Sequence, residues 1–138
     1  AVKTLNDLFI ETLKDLYYVE KKLVQTLPKM ASKASSPELK QAMEEHLAET
    51  ETHVERLEQV FELLQQRASA KKCEALEGLL TEAEEVTGEI DDAQTLDAAI
   101  ISSAQTVEHY EIARYGTLAC WAAEIGNTDI AELLEQTL

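Results

Sequence analysis

Apolar residues recur every seven positions along the first quarter of the chain, and that period admits little but a long helix with one buried face. Phe9, Leu16, Leu23 and Met30 form one register, and Leu13, Leu27 and Ala34 form the interleaved one. This is the spacing of a helix packed against neighbouring helices. Glu20 occupies the place in the second register where another apolar residue belongs. A carboxylate buried alone costs several kcal/mol, so it must be paired, protonated or bound to a cation. The anomaly recurs beyond Ile100, where Ala104, Val107, Glu111, Arg114, Leu118, Trp121 and Ile125 run down one seam with Glu111 at its centre. Two such charges at matching depth mark a candidate site.

Composition points the same way. The 138 residues include only four Gly and two Pro, which favours long helices over sheet in a single domain of ordinary size. All-α is therefore the expected class. Asp and Glu outnumber Lys and Arg by 27 to 12, for a formal charge of −15, which argues against nucleic acid and anionic membrane as partners. No apolar run approaches the roughly 18 residues of a membrane span, and no signal peptide opens the chain, so a cytoplasmic protein is expected. Cys73 and Cys120 are too few and too distant in sequence for a disulfide framework or a thiolate metal site.

Punctuation along the chain predicts five helices, at about 4–34, 36–66, 75–88, 95–125 and 128–138. Thr4 with Asp7 supplies the first cap, and a kink is expected near Pro28. Ser36, Pro37 and Glu38 are cap, first helical position and acidic first turn of the second helix. That helix is expected to bury Leu39, Met43, His46, Thr50, His53, Leu57, Val60 and Leu64. A long link follows, carrying a short amphipathic helix with Leu76, Leu79, Leu80, Ala83 and Val86 on one face, and its length permits a crossover. Asp92 or Thr95 starts the next long helix, which Gly126 and Asn127 end. Its outer stripe of Ala113, Gly116, Cys120 and Ala123 is expected to meet the crossover helix or a second subunit, so a homodimer is expected. Thr128 and Asp129 open the last helix, with Ile130, Leu133, Leu134 and Leu138 inward.

If neighbouring long helices are antiparallel, their midpoints share one level in the bundle. Glu20, Glu49, His53, Glu108 and Glu111 all fall within about one turn of it. Glu49 lies three residues after His46 and four before His53, so it can sit beside either imidazole. Carboxylates crowded into one layer repel unless cations intervene, and oxygen ligands with a little nitrogen suit iron or manganese, commonly as a pair. The competing account is structural: Arg114 one turn away could neutralise Glu111, His46 and His53 could be core histidines, and Tyr17, Tyr18, Tyr110 and Tyr115 could be packing rather than support for ligands. His109 points off the seam.

Three stretches, LNDLFIETLKDLYYVEKKL, HLAETETHVERLEQVF and AQTVEHYEIARYGTLACWA, resemble the YciE/YciF family of ferritin-like bacterial stress proteins over essentially the whole chain. The resemblance implies a four-helix bundle with a long link between its second and third long helices, a dimer, and a rubrerythrin-like di-iron centre. It implies Glu20, Glu49, Glu108 and Glu111 as ligands, with His53 a looser match. Family members continue the last helix with an acidic E-E-x-x-x-D stretch that is not in this sequence. Descending antiparallel from Thr128, the level of Glu111 is reached only after roughly 14 residues. A trimmed chain with a partial, weakly occupied or empty site is thus expected.

Iron pairs held by carboxylates serve the reduction of O₂ or peroxide. The rivals are a non-catalytic dimeric helical interaction module and an iron-handling protein without turnover. Replacing Glu20 with Leu is expected to raise the melting temperature of metal-free protein and to abolish metal uptake. Melting curves with elemental analysis check it, and a destabilised metal-free variant would point to a structural ion pair.

Overall fold

Helix boundaries follow the local chemistry. At the first, Thr4 Oγ1 accepts from the Asp7 amide at 3.1 Å while the Asp7 carboxylate accepts from the Thr4 amide at 3.2 Å, a reciprocal cap that satisfies donors at both ends of the turn. In the computed structural model, which describes residues 1–138, this opens α1, Leu5–Lys33. The helix continues through Pro28 to Lys33, close to its expected end. Ser36 caps α2, Pro37–Leu63, with Pro37 in the first turn. α2 ends at Leu63, three residues before the expected end, and the chain leaves it through Gln65 at φ 55°. After a link come α3, Glu74–Gly88, then α4, Ala93–Ile125, and α5, Thr128–Thr137. Asp92, not Thr95, is the α4 cap: its carboxylate accepts from both the amide and the hydroxyl of Thr95. Gly126 at φ 93° closes the helix in the left-handed conformation that glycine adopts without Cβ strain.

Four of these helices form a ring in which each packs against two others. α1 contacts α2 and α4, and α5 contacts α4 and α2. Pairs such as His53 with Glu20, Ser35 with Asp97 and Arg56 with Thr137 show that the neighbours run antiparallel. This leaves α2 and α4 as parallel diagonals. α3 lies outside the ring, on α4. Phe9, Leu13, Leu16, Leu23 and Leu27 of α1 are buried, as are Leu57, Val60 and Phe61 of α2, Ile100 and Leu118 of α4, and Ile130 and Leu134 of α5. The seam inferred for α1 is therefore the face that enters the core. Asp97 joins the two ends of the bundle's first corner, accepting from the Ser35 amide at 2.8 Å, the Ser35 hydroxyl at 2.9 Å and the Ser36 amide at 3.0 Å. These donors hold its carboxyl below the usual range.

Several expected burials differ. Leu64, His46 and His53 are half-buried, because α2 faces the core with Leu57, Val60 and Phe61. Val86 of α3 is 44% exposed while Thr87 is buried; the Thr87 hydroxyl donates to the Ala83 carbonyl at 2.7 Å, which makes its burial inexpensive. Leu138 is 55% exposed at the α5 terminus. The crossover helix meets Ala99, Ser102, Ser103 and Thr106 near the start of α4, so Ala113, Cys120 and Ala123 are left exposed. Gly116 lies against Leu138 instead.

Leu76→Ala is expected to cost about 2–5 kcal/mol in urea unfolding, since the side chain is fully buried. Val86→Ala, ten residues further along the same helix, is expected to change stability by no more than about 1 kcal/mol.

Candidate metal centre

The heptad position of Glu20 puts its side chain into the bundle with 0% exposure, and the corresponding position on α4 buries Glu111 at 6%. α2 brings His53 between them. One ligand atom from each of Glu20, His53 and Glu111 lies within 4.8 Å of the others. His53 Nδ1 is hydrogen-bonded to Glu20 Oε2 at 2.8 Å, the proton resting on either atom according to tautomer. Glu20 Oε1 and Glu111 Oε1 have no hydrogen-bond partner. Buried acceptors left in this state are costly in a closed core.

No cation of the protein offsets them. Arg114, which could have neutralised Glu111, instead donates to the Tyr110 hydroxyl at 3.3 Å and lies over its ring. Arg56 donates to Thr137 Oγ1 at 3.0 Å. Burial pushes Glu20 up, and burial together with the adjacent Glu20 carboxyl pushes Glu111 up to about 10. Burial also pushes His53 down. Burial thus works against the charged form of both groups joined by the 2.8 Å contact, the carboxylate and the imidazolium.

Of the four tyrosines near this level, Tyr115 alone belongs to the cluster. Its ring meets His53 edge-on with centroids 6.2 Å apart. Its hydroxyl is buried beside Glu20 and Glu111 without a well-formed hydrogen bond, and its acidity is suppressed, chiefly by burial. Tyr17 donates to Glu58 at 3.3 Å, Tyr18 to Glu77, and Tyr110 is 3.1 Å from Cys73 Sγ. These three link helices rather than orient ligands. His109 Nδ1 contacts the Gln105 carbonyl on its own helix, off the seam.

Above the buried trio a cleft of about 210 Å³ is lined by His46, Glu49, His53, Glu108, Glu111 and Tyr115, with Ile112, Thr137 and Leu138 at its mouth. Of the expected ligands, Glu20, His53 and Glu111 thus come together in the interior, while Glu49 and Glu108 reach the same cleft from its exposed rim. His46 joins that rim, with Nε2 3.7 Å from Glu108 Oε1. Ile112 and Thr137 escaped the sequence reading because a cleft mouth leaves no periodic trace, and Leu138 is expected on the inner side of α5 without being assigned to the site. Such a donor set, carboxylate oxygens with imidazole nitrogen around uncompensated buried acceptors, fits a hard or borderline cation such as iron or manganese.

No helix is long and apolar enough to cross a membrane. The pattern of a protein family described as a domain of unknown function, DUF892, matches residues 4–138. Protein YciF of Escherichia coli K12 is 45% identical over 138 residues, covering 99% of this chain and 83% of YciF. The crystal structure of that E. coli stress protein superposes with a TM-score of 0.94, covering 99% of this chain and 87% of the other. YcfI from Rhodopseudomonas palustris, classed provisionally as a structural protein, superposes with a TM-score of 0.98 at 48% identity, with coverage of 99% and 87%. A Xanthomonas campestris protein matches at 0.72 and 26% identity, with coverage of 96% and 81%. The chain therefore belongs to the DUF892 family and has the helical-bundle fold of the YciF stress protein.

Proposed function

We propose that this relative of a stress protein is a cytoplasmic ferritin-like protein whose bundle holds a pair of iron ions for redox chemistry with O₂ or peroxide. The observation that carries the reading is the pair of buried, partnerless oxygens, Oε1 of Glu20 and Oε1 of Glu111, beside His53. A folded core keeps such atoms at a cost unless something positive draws on them. Glu20, His53 and Glu111 would hold one ion, and Glu49, Glu108 and His46 supply the donors available to a second. Two Fe(II) ions in that position would supply the electrons for reducing O₂ or peroxide.

The chain's own contribution is charge, position and a proton. Glu20 and Glu111 place two carboxylates on a low-dielectric floor, where their charge acts most strongly on a cation. Tyr115 keeps its phenol protonated, so its O–H can donate to a carboxylate oxygen that ionises. Its ring and the Glu20 contact fix the plane of His53. A second copy would cover the exposed Ala113, Cys120 and Ala123 face of α4 in the homodimer we include in this proposal.

A second reading draws on the exposure of Glu49 and Glu108 and on the upward shift of Glu111. In it the buried acids are neutral, and the protein is a non-catalytic helical interaction module, like the relative classed as structural. Iron handling without turnover lies between the two.

Titrating metal-free protein with Fe(II) under nitrogen, or with Mn(II), separates them. Saturation a hundredfold above Kd is expected to stabilise the fold by about 2.7 kcal/mol, read as a rise in melting temperature. Glu111→Gln is expected to abolish that rise. A melting temperature indifferent to both metals would sustain the interaction module instead.

The pH dependence gives an independent check. Glu111 is raised from 4.5 to about 10 in the fold, so its contribution to metal-free stability is full below about pH 4.5 and is lost as pH climbs toward about 10. Metal-free protein is expected to lose stability between pH 7 and pH 9, and Glu111→Gln to flatten that slope. Bound metal requires the ionised carboxylates and displaces their protons. The metal-induced rise in melting temperature is therefore expected to grow over the same interval.

A further inference from the structure

Away from the metal centre, a cavity of about 300 Å³ opens between α1 and α3. Its size is at the lower end of the range for small-molecule sites. Lys22, Lys29 and Lys33 of α1 stand around it, and its apolar lining is Met30, Leu80, Ala83 and Ile100. Met30, Leu80 and Ala83 also border a much smaller void toward the core, lined by Leu23, Leu27, Ala104 and Val107. The apolar character therefore continues below the surface.

Six of the nine lysines make no ion pair, and three of those six gather at this cleft. In a chain with 27 acidic residues against 12 basic ones, the lysine ion pairs to carboxylates are those of Lys14, Lys71 and Lys72. Lys22, Lys29 and Lys33 make none. Two acids share the lining: Glu77, which accepts from the Tyr18 hydroxyl, and Glu84, which is exposed like Lys29 and Lys33 and pairs with none of the three lysines. The cleft's hydroxyls are committed too. Thr26 donates to the Lys22 carbonyl at 2.8 Å, Thr81 to Glu77 at 2.8 Å and Thr87 to Ala83 at 2.7 Å. No hydroxyl proton of the wall is left for a sugar or other polyol. The free donors are ammonium groups.

We propose that this cleft binds a small amphipathic carboxylate, its charge held by Lys29 and Lys33 with Lys22 and its apolar body lying on Met30, Leu80 and Ala83. The three ammonium groups outnumber the two carboxylates of the lining and leave it net cationic, and an unbranched or aromatic body displaces water from the floor. An inorganic anion would leave that floor wet, and a neutral apolar molecule would leave the lysines uncompensated. The site is independent of any metal.

Octanoate is the probe, titrated into the full chain while amide NMR signals of Thr26, Met30 and Ala83 are followed. Saturable shifts confined to this cleft are expected. Lys29→Glu combined with Lys33→Glu is expected to weaken binding at least tenfold, whereas Lys3→Glu with Lys40→Glu, the same charge change elsewhere, leaves it within twofold. All four positions are exposed, and a thermal melt confirms that each variant folds. 1-Octanol and inorganic phosphate are each expected to bind at least tenfold more weakly than octanoate. The proposal is overturned by absence of saturable octanoate binding, by equal weakening in the two double variants, by phosphate binding as tightly (a diffuse cationic patch), or by octanol binding as tightly (a plain apolar crevice).

Discussion

Desolvation of two carboxyls is the constraint around which this bundle is arranged. Glu20 on α1 and Glu111 on α4 meet in the interior with no arginine or lysine to answer them. In such a place a carboxyl must give up its charge or acquire a positive partner. Burial favours the first outcome, with Tyr115 beside the pair keeping its own proton. The second is the one proposed above, for which His46, Glu49 and Glu108 line the adjoining cleft. Hydrophobic burial alone would have filled positions 20 and 111 with leucine at a gain in stability. That the core carries acids there is the reason to read it as built for a ligand.

Topology explains why the two acids share a level. Antiparallel neighbours reverse direction at each corner, so positions midway along α1 and α4 coincide whatever the lengths of the intervening links. The turn between α1 and α2 holds that register, with Asp97 accepting three hydrogen bonds from Ser35 and Ser36 across more than sixty positions of sequence. α2 and α4, as parallel diagonals, then offer His53 and Tyr115 to the same point.

Much of this was legible from residue order because helices are periodic. The register of Phe9, Leu13, Leu16 and Leu23 requires a buried stripe, and Glu20 on that stripe can be assigned to the interior without coordinates. Caps at Thr4 and Ser36 and the glycine terminator at Gly126 are likewise local chemistry, readable in a few residues. Depth across helices is a weaker signal. Glu49 and Glu108 are at the right level but at the edge of their helical faces, and a turn of a few tens of degrees separates a buried ligand from an exposed rim. Tyr17, Tyr18 and Tyr110 show the same limit, since a tyrosine hydroxyl about 6 Å from its Cα can reach any of several neighbours. Asp97 was invisible because its partners lie at a distant corner. The unpaired state of Lys22, Lys29 and Lys33 depends on where α3 docks, which no period encodes.

α3 has a different standing from the four helices of the ring. It leans on α4 from outside, held by the fully buried Leu76, by the buried Cys73 beside Tyr110, by the Tyr18 to Glu77 contact and, in the link before it, by Lys71 against Glu11. Elements attached by so few buried groups open at lower free energy than the core and do so as a unit. Amide protons of Glu74–Gly88 should therefore exchange by excursions that leave the ring intact, while those facing the core wait for global unfolding. α3 supplies one wall of the lysine-lined cleft, so a ligand held there would lose that wall whenever the helix detached.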